Sequence, residues 1–243
     1  MTTDWQPVLW LAAALCSPPA SRAAEPAAKV PAGYQLQYEQ NFSGASALKD
    51  FVFTDPKAWR ISIEAKSSSL ELFSQCDYQP AHRSPLNIAL LADRVFGDFV
   101  LEVELLSTVK PYGHQNMCLF FGMQEPLKFY YVHFAVAADA HAHNVFIVNN
   151  APRKNFARET TPGITWGQDA WHKVRLERKL ADGTIRVYFD DLTKPIMVAE
   201  DKTFAKGGIG FGSFDDLGKI GHVKIWAPKM EVKKTGFFKR PAK

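Results

Sequence analysis

From residue 34 onward, short runs of alternating apolar and polar residues recur along the chain, separated by Gly, Pro, Asn and Asp. Alternation with a period of two marks a strand with one buried face, and those four residue types supply the backbone angles of turns. The pattern predicts strands near residues 34–42, 59–63, 70–74, 87–91, 99–108, 117–123 and 129–137, then near 144–149, 172–179, 184–190, 196–199, 209–214 and 220–226. Helical periodicity hardly occurs, so there are no crossover helices to join parallel neighbours. The expected fold is all-β: two antiparallel sheets packed face to face as a jelly-roll sandwich.

Strand parity then separates core positions from free ones, because alternate side chains leave opposite faces of a sheet. Phe99, Leu101, Val103 and Leu105 read as inward, which places Glu102 and Glu104 together on the other face. Met117, Leu119, Phe121 and Met123 read as inward in the next strand, with Asn116, Cys118 and Phe120 opposite. Tyr130, Val132 and Phe134 form the following core set, leaving Phe129, Tyr131 and His133 on the second face. If Glu102, Asn116, Tyr131 and His133 share one side of neighbouring strands, they suit a sugar, whose hydroxyls need hydrogen bonds and whose C–H faces stack on rings. An ordinary solvated sheet face shows the same alternation.

Composition supports a single folded domain. The 243 residues are 47% hydrophobic, 13% aromatic and 22% charged, far from disordered or collagen-like chains. Residues 7–16 form an apolar run followed by small residues through Ala24, the pattern of a signal peptide cleaved after Ala23, though without the usual basic start. The run is too short to span a bilayer. The expected division is a signal peptide over 1–23, a flexible segment over 24–33, the sandwich over 34–228 and a basic tail over 229–243, in a secreted or periplasmic protein with no transmembrane segment. Against a net charge of +4, the tail alone carries +5, where Lys229, Lys233, Lys234, Lys239, Arg240 and Lys243 face only Glu231, and the rest of the chain is −1. The body therefore offers no basic field for nucleic acid. The tail reads either as a solvated, disordered end or as a contact for acidic polymers and surfaces. Once the leader is cut, Cys76 and Cys118 remain, and an oxidising compartment would permit one bridge between them.

The most specific stretch is the C-terminal third. A strand at 171–178 (WHKVRLER) is followed by the turn pair Asp182-Gly183 and a strand ending in Asp190; then come the segment 208–216 (GIGFGSFDD) and a closing strand to Trp226. This order resembles the concanavalin A-like lectin and glucanase superfamily, and looks closest to laminin G-like modules and the bacterial 3-keto-disaccharide hydrolase domain. The resemblance implies a concanavalin A-like jelly roll. It leaves function open among lectins, carbohydrate-binding modules, glycosidases, lyases and adhesion modules.

Several constellations are candidates for chemistry. Residues 102–107 approach the three-acid strand motif of laminarinase-type glycosidases, but Ser107 stands where the last acid belongs. Glu102 and Glu104 lie about 7 Å apart along a strand, within the range of glycosidase carboxyl pairs. Glu104 and His133 are the candidate general bases. Arg83, held between Pro80 and Pro85, presents a planar fork suited to a uronate, a sulfate or a pair of sugar hydroxyls, or else ties loops together through backbone carbonyls. His114, Asn116, Glu102 and Tyr131 complete the expected binding set. For metals, the resemblance implies calcium at Asp215 and Asp216, and the alternation of Asp139, His141 and His143 has the spacing of a zinc site. Trp166 and Trp171 read equally as core anchors or sugar platforms. There is no phosphate-binding loop, dinucleotide fingerprint or nucleophile elbow. The expected function is glycan binding on one sheet face and its adjoining loops; a glycoside hydrolase or lyase and a laminin G-like interaction module are the alternatives.

Overall fold

The computed structural model describes Met1, residues 30–64 and residues 67–241. The expected signal peptide, Met1 apart, and most of the flexible segment lie outside the described residues. The alternating runs form β1 (Gln35–Gln40), β2 (Phe51–Phe53), β3 (Trp59–Glu64), β4 (Ser67–Leu72), β5 (Asn87–Leu91), β6 (Arg94–Phe96), β7 (Phe99–Ser107), β8 (Asn116–Glu125) and β9 (Lys128–Ala135). They continue as β10 (Asn144–Asn149), β11 (Lys154–Asn155), β12 (Ala157–Thr160), β13 (His172–Arg178), β14 (Thr184–Phe189), β15 (Met197–Glu200), β16 (Gly208–Ser213), β17 (Gly218–Ala227) and β18 (Met230–Val232). Two short 3-10 turns, at Ala45–Asp50 and Pro56–Ala58, are the helical elements among the described residues.

All strand pairings described are antiparallel. Sheet A runs β12-β15-β14-β13-β7-β17-β4-β3, with β1 also paired to β17; sheet B runs β11-β10-β9-β8-β16-β5-β2; and β18 pairs with β6. The two large sheets enclose the core expected from parity: Leu101, Val103 and Leu105 of β7 meet Leu119 and Phe121 of β8, Tyr130, Val132 and Phe134 of β9, and Phe211 of β16. The chain is thus a two-sheet, all-β jelly-roll sandwich.

One inward assignment fails for a local reason. Gly122 adopts φ +60° and the pairing of β8 shifts register beyond Phe121. A bulge of this kind reverses the alternation, and Met123 joins the opposite side of sheet B.

That opposite side is not a solvated face. Ile88, Leu90, Cys118, Phe120, Phe129, Tyr131, Phe146 and Phe214 form a second buried cluster there, and Phe237 and Phe238 of the tail pack against it. The tail is therefore not a free end. After β18, Thr235 donates its backbone N–H to Asp93 at 2.8 Å, Arg240 pairs with Asp93 at 2.6 Å, and Lys239 exchanges two backbone hydrogen bonds of 2.8 Å with Phe53. The ring of Phe238 meets that of Tyr78 edge-on at 5.9 Å. Two exchanged bonds at Phe53 also occupy the outer edge of β2, which would otherwise be open.

The β13–β14 hairpin forms as expected from its Asp-Gly turn, with Gly183 at φ +81°. Buried Arg178 braces it by donating to the carbonyls of Gly183 at 2.6 Å and Asp201 at 2.7 Å. Cys76 and Cys118 are buried free thiols; Cys76 belongs to the core between the sheets and Cys118 to the cluster outside sheet B, so no bridge joins them.

Candidate functional site

Sheet membership divides the expected site. Glu102 and Glu104 do share a face, but it is the outer face of sheet A, whereas Asn116, Tyr131 and His133 stand on β8 and β9 of sheet B. Stacked sheets lie about 10 Å apart, and the polar faces in question point away from each other, so these residues do not form one groove. Glu102 is bound side-on by Arg175, through Nε at 2.9 Å and Nη2 at 2.6 Å. Glu104 lies beside Gly221, close to the ring of Trp171. Glu104 and His133, the two candidate general bases, thus stand on different sheets and do not face one substrate together.

On sheet B the expected residues do come together, around a ring that parity did not single out. Phe214 follows β16 directly, and its backbone N–H donates to Asn116 Oδ1 at 2.7 Å. The Asn116 amide donates to Asp216 at 2.9 Å, Asp215 at 3.2 Å and the His114 carbonyl at 3.1 Å. Asn116 is 2% exposed and spends its polar atoms on protein partners, so it positions Phe214 and is not a free sugar contact. Asp216 accepts the Tyr112 hydroxyl at 2.8 Å and the Asn116 backbone N–H at 2.7 Å. Burial raises its pKa, and those donors oppose the rise. The Asp215–Asp216 pair is joined by no third acidic, His or Cys ligand, because among the described residues no such group of three converges. Tyr112→Phe should remove one donor from a buried carboxylate and cost about 1 kcal/mol, read as a melting temperature lower by roughly 2–4 °C.

His133 stacks on Phe214 with centroids 5.9 Å apart. Its Nδ1 meets the His141 carbonyl at 3.1 Å; a carbonyl only accepts, so Nδ1 carries the proton and Nε2 keeps its lone pair. Nε2 is buried and has no hydrogen-bond partner among the described residues. Burial, and then the charge of Arg153, push the pKa of His133 down to about 3, leaving a neutral ring and a feeble base near neutral pH. Tyr131 is fully buried, and its hydroxyl accepts from Arg153 Nη1 at 2.8 Å; burial raises its pKa.

Arg153 is the residue that sequence reasoning missed. It sits in the irregular run between β10 and β11, where no periodicity marks it, yet its guanidinium carbon lies 4.2 Å from the Phe214 centroid and 5.0 Å from that of Phe146. Arg83 reaches the same Phe214 ring at 5.8 Å, and its carbonyl accepts the Arg153 backbone N–H at 3.5 Å. Beside them opens a cleft of about 410 Å³ lined by Tyr78, Gln79, Arg83, Ser84, Leu86 and Phe214, among others. A second cleft, of about 480 Å³, lies between the tail and the start of β16, but fewer of these ring and guanidinium groups line it.

The remaining candidates are placed elsewhere. Exposed His114 pairs with Asp139 at 2.7 Å, and neither residue lines the cleft. His143 is fully buried, accepts the Ala135 N–H at Nδ1 and meets Thr161 Oγ1 at 2.9 Å, which removes it from any zinc set with Asp139 and His141. Trp166 is a core anchor whose indole N–H donates to the Gln115 carbonyl at 3.0 Å, and Trp171 stands on the outer face of sheet A.

No family model and no curated protein sequence matches the chain. Solved structures do. A carbohydrate binding module, CBM66 from Bacillus subtilis, is 14% identical, with a TM-score of 0.51 over 75% of this chain and 96% of the module. A Bacillus subtilis protein of unknown function with a galectin-like fold is 13% identical, with a TM-score of 0.53 over 82% of this chain and all (100%) of that one. The winged bean acidic lectin complexed with methyl-α-D-galactose is 11% identical, with a TM-score of 0.53 over 83% of this chain and 100% of the lectin. At these identities the likeness is one of architecture, and the chain has the concanavalin A-like jelly-roll fold.

Proposed function

We propose that the protein is an exported, lectin-like carbohydrate-binding protein that holds a glycan in the cleft between Arg83 and Phe214. The observation that carries this reading is that one open cleft of about 410 Å³ is lined by the aromatic residues Tyr78 and Phe214 together with the side-chain donors of Arg83 and Gln79. Sugar rings present C–H faces to aromatic groups and hydroxyls to such donors, and clefts of this size accommodate one or two rings. The architecture agrees, since similarly built proteins include a carbohydrate binding module and a lectin complexed with a galactoside. Export rests on the leader pattern of residues 7–24. Binding is preferred to glycoside hydrolysis or elimination of the 3-keto-disaccharide hydrolase type because the acidic candidates Glu102 and Glu104 stand on the far sheet, leaving no carboxylate pair at the cleft.

A glycan array probed with the mature protein, followed by calorimetry on the retained sugars, tests the reading. The double variant Gln79→Ala/Arg83→Ala alters two exposed side chains and should weaken binding about tenfold or more, the loss of one to two charge-assisted hydrogen bonds. An array without signal, or a variant that binds as the parent does, would remove the proposal.

A further inference from the structure

We infer that the cleft selects anionic sugars, with Arg83 and Arg153 together gripping a uronate carboxylate or a sulfate ester above Phe214. This assignment rests on the glycan-binding reading and names its ligand class.

Arg60, Arg158, Arg175 and Arg240 each lie within 2.6–2.9 Å of a carboxylate oxygen. Arg83 and Arg153, like Arg94, Arg178 and Arg186, have no acid at ion-pair distance among the described residues; what marks these two is that they meet over one ring, and that Arg153 is half-buried. A cation partly removed from water without a counter-ion is costly, and the cost is recovered when an anion arrives. Among the described residues no carboxylate at the site fills that role: Asp77, which also lines the cleft, makes no ion pair with either guanidinium. The acidic neighbours Asp215 and Asp216 are turned to Asn116 and Tyr112, Tyr131 holds its proton, and His133 is neutral.

Geometry gives the same answer. Arg153 is fixed by its Nη1 bond to the Tyr131 hydroxyl and by stacking on Phe214 and Phe146. Its Nε is buried without an acceptor, and Nη2 makes no hydrogen bond among the described residues. That leaves Nη2 to donate to an anion beside Arg83, while Nε, which has no exposed surface, gains a partner only when the Arg153 run shifts to admit a second, parallel bond. Arg83, on an exposed loop tied to Arg153 through the backbone bond, brings a second fork over the same ring. Two rings and two unpaired guanidiniums fit a sugar that carries a negative group better than a neutral one, whose hydroxyls would satisfy donors but leave both charges uncompensated.

The probes are trigalacturonic acid and its methyl ester, and a sulfated galactan tetrasaccharide and its desulfated counterpart, each titrated calorimetrically into the full mature chain. At least one acidic probe should bind ten times more tightly than its neutral twin, and the advantage should shrink as salt is raised. The stronger of the two acidic probes identifies the carboxylate or the sulfate as the group recognised. Arg83→Gln, on an exposed loop, and Arg153→Gln should each abolish the preference, while Arg153→Lys should restore only part of it, because a lysine cannot bind side-on. Circular dichroism and melting curves confirm that the variants fold. Equal binding of acidic and neutral twins would overturn the charge selectivity while leaving glycan binding in place. An acidic preference that survives both glutamine variants would overturn the assignment to these arginines. Failure of all four probes, with neutral glycans retained on the array, refutes the anionic class alone; silence on the array as well removes both readings.

Discussion

Lowering the pH from 7 to 5 is expected to remove about 4 kcal/mol of stability. His133 and His143 are buried, at 3% and 0% exposure, and burial holds their pKa values at about 3 and about 4 against an ordinary 6.5. The unfolded chain therefore takes up protons first. Their contribution is intact above pH 6.5 and falls as the pH drops toward 4 and 3, at about 1.4 kcal/mol per unit for each group, or ~2 kcal/mol each by pH 5. Asp216 acts in the opposite sense: its raised pKa lets the folded state hold a proton more readily, so acidification partly offsets the loss. Urea unfolding at stepped pH measures the slope. His143→Gln, which can still bond Thr161, should roughly halve the fall between pH 6.5 and 5, and an unchanged slope would show that these imidazoles do not govern it.

Deleting residues 233–243 should lower the melting temperature by roughly 5 °C and turn the protein sticky. The deletion removes the packing of Phe237 and Phe238 on the cluster outside sheet B, the Asp93 contacts of Thr235 and Arg240, and the two backbone bonds of Lys239 to Phe53. Partial burial of two phenyl rings is worth ~1–2 kcal/mol each. Freedom regained by the released segment offsets part of this, leaving a net loss of about 1–3 kcal/mol, which for a domain of this size corresponds to a few degrees. Uncovering Phe120, Phe129 and their neighbours should add a clear signal from a hydrophobic dye such as ANS and promote association. A truncated chain that melts with the parent and binds no dye would mean that the tail merely rests on the surface.

Legibility in the sequence followed element length and the number of faces buried. Long alternating strands such as β7, β9 and β13 could be read with their inward sets, and β8 as far as its glycine bulge. Five of the strands of two to four residues, β2, β6, β11, β12 and β18, are too short to show alternation and went unpredicted, whereas β15, of four residues, was read from its apolar run. Parity could say that Glu102 and Glu104 share a face, but not which sheet β7 joins, because pairing across the chain decides that. It also could not show that the second face of sheet B is roofed. Tyr131 and His133 read as free because their strand alternates, yet the tail and loops cover that side. Arg83 was visible through its flanking prolines and Phe214 through the segment around it, whereas Arg153 lay in a run with no pattern at all. Its bond to Tyr131 becomes apparent only when the run after β10 folds back over β9.

The order in which the strands enter the sheets bears on how the protein folds. β16 lies between β8 and β5, and β17 lies between β7 and both β4 and β1, so residues from the last part of the chain occupy the middle of each layer. Gln35 pairs with Ala227 across nearly the whole domain. During synthesis the hairpins β8–β9 and β13–β14 can close by themselves, but neither layer can be completed until residues 208–227 have emerged from the ribosome. Such distant pairings place folding in the slow regime of milliseconds to seconds. A nascent chain of this kind stays pliable until it is nearly finished.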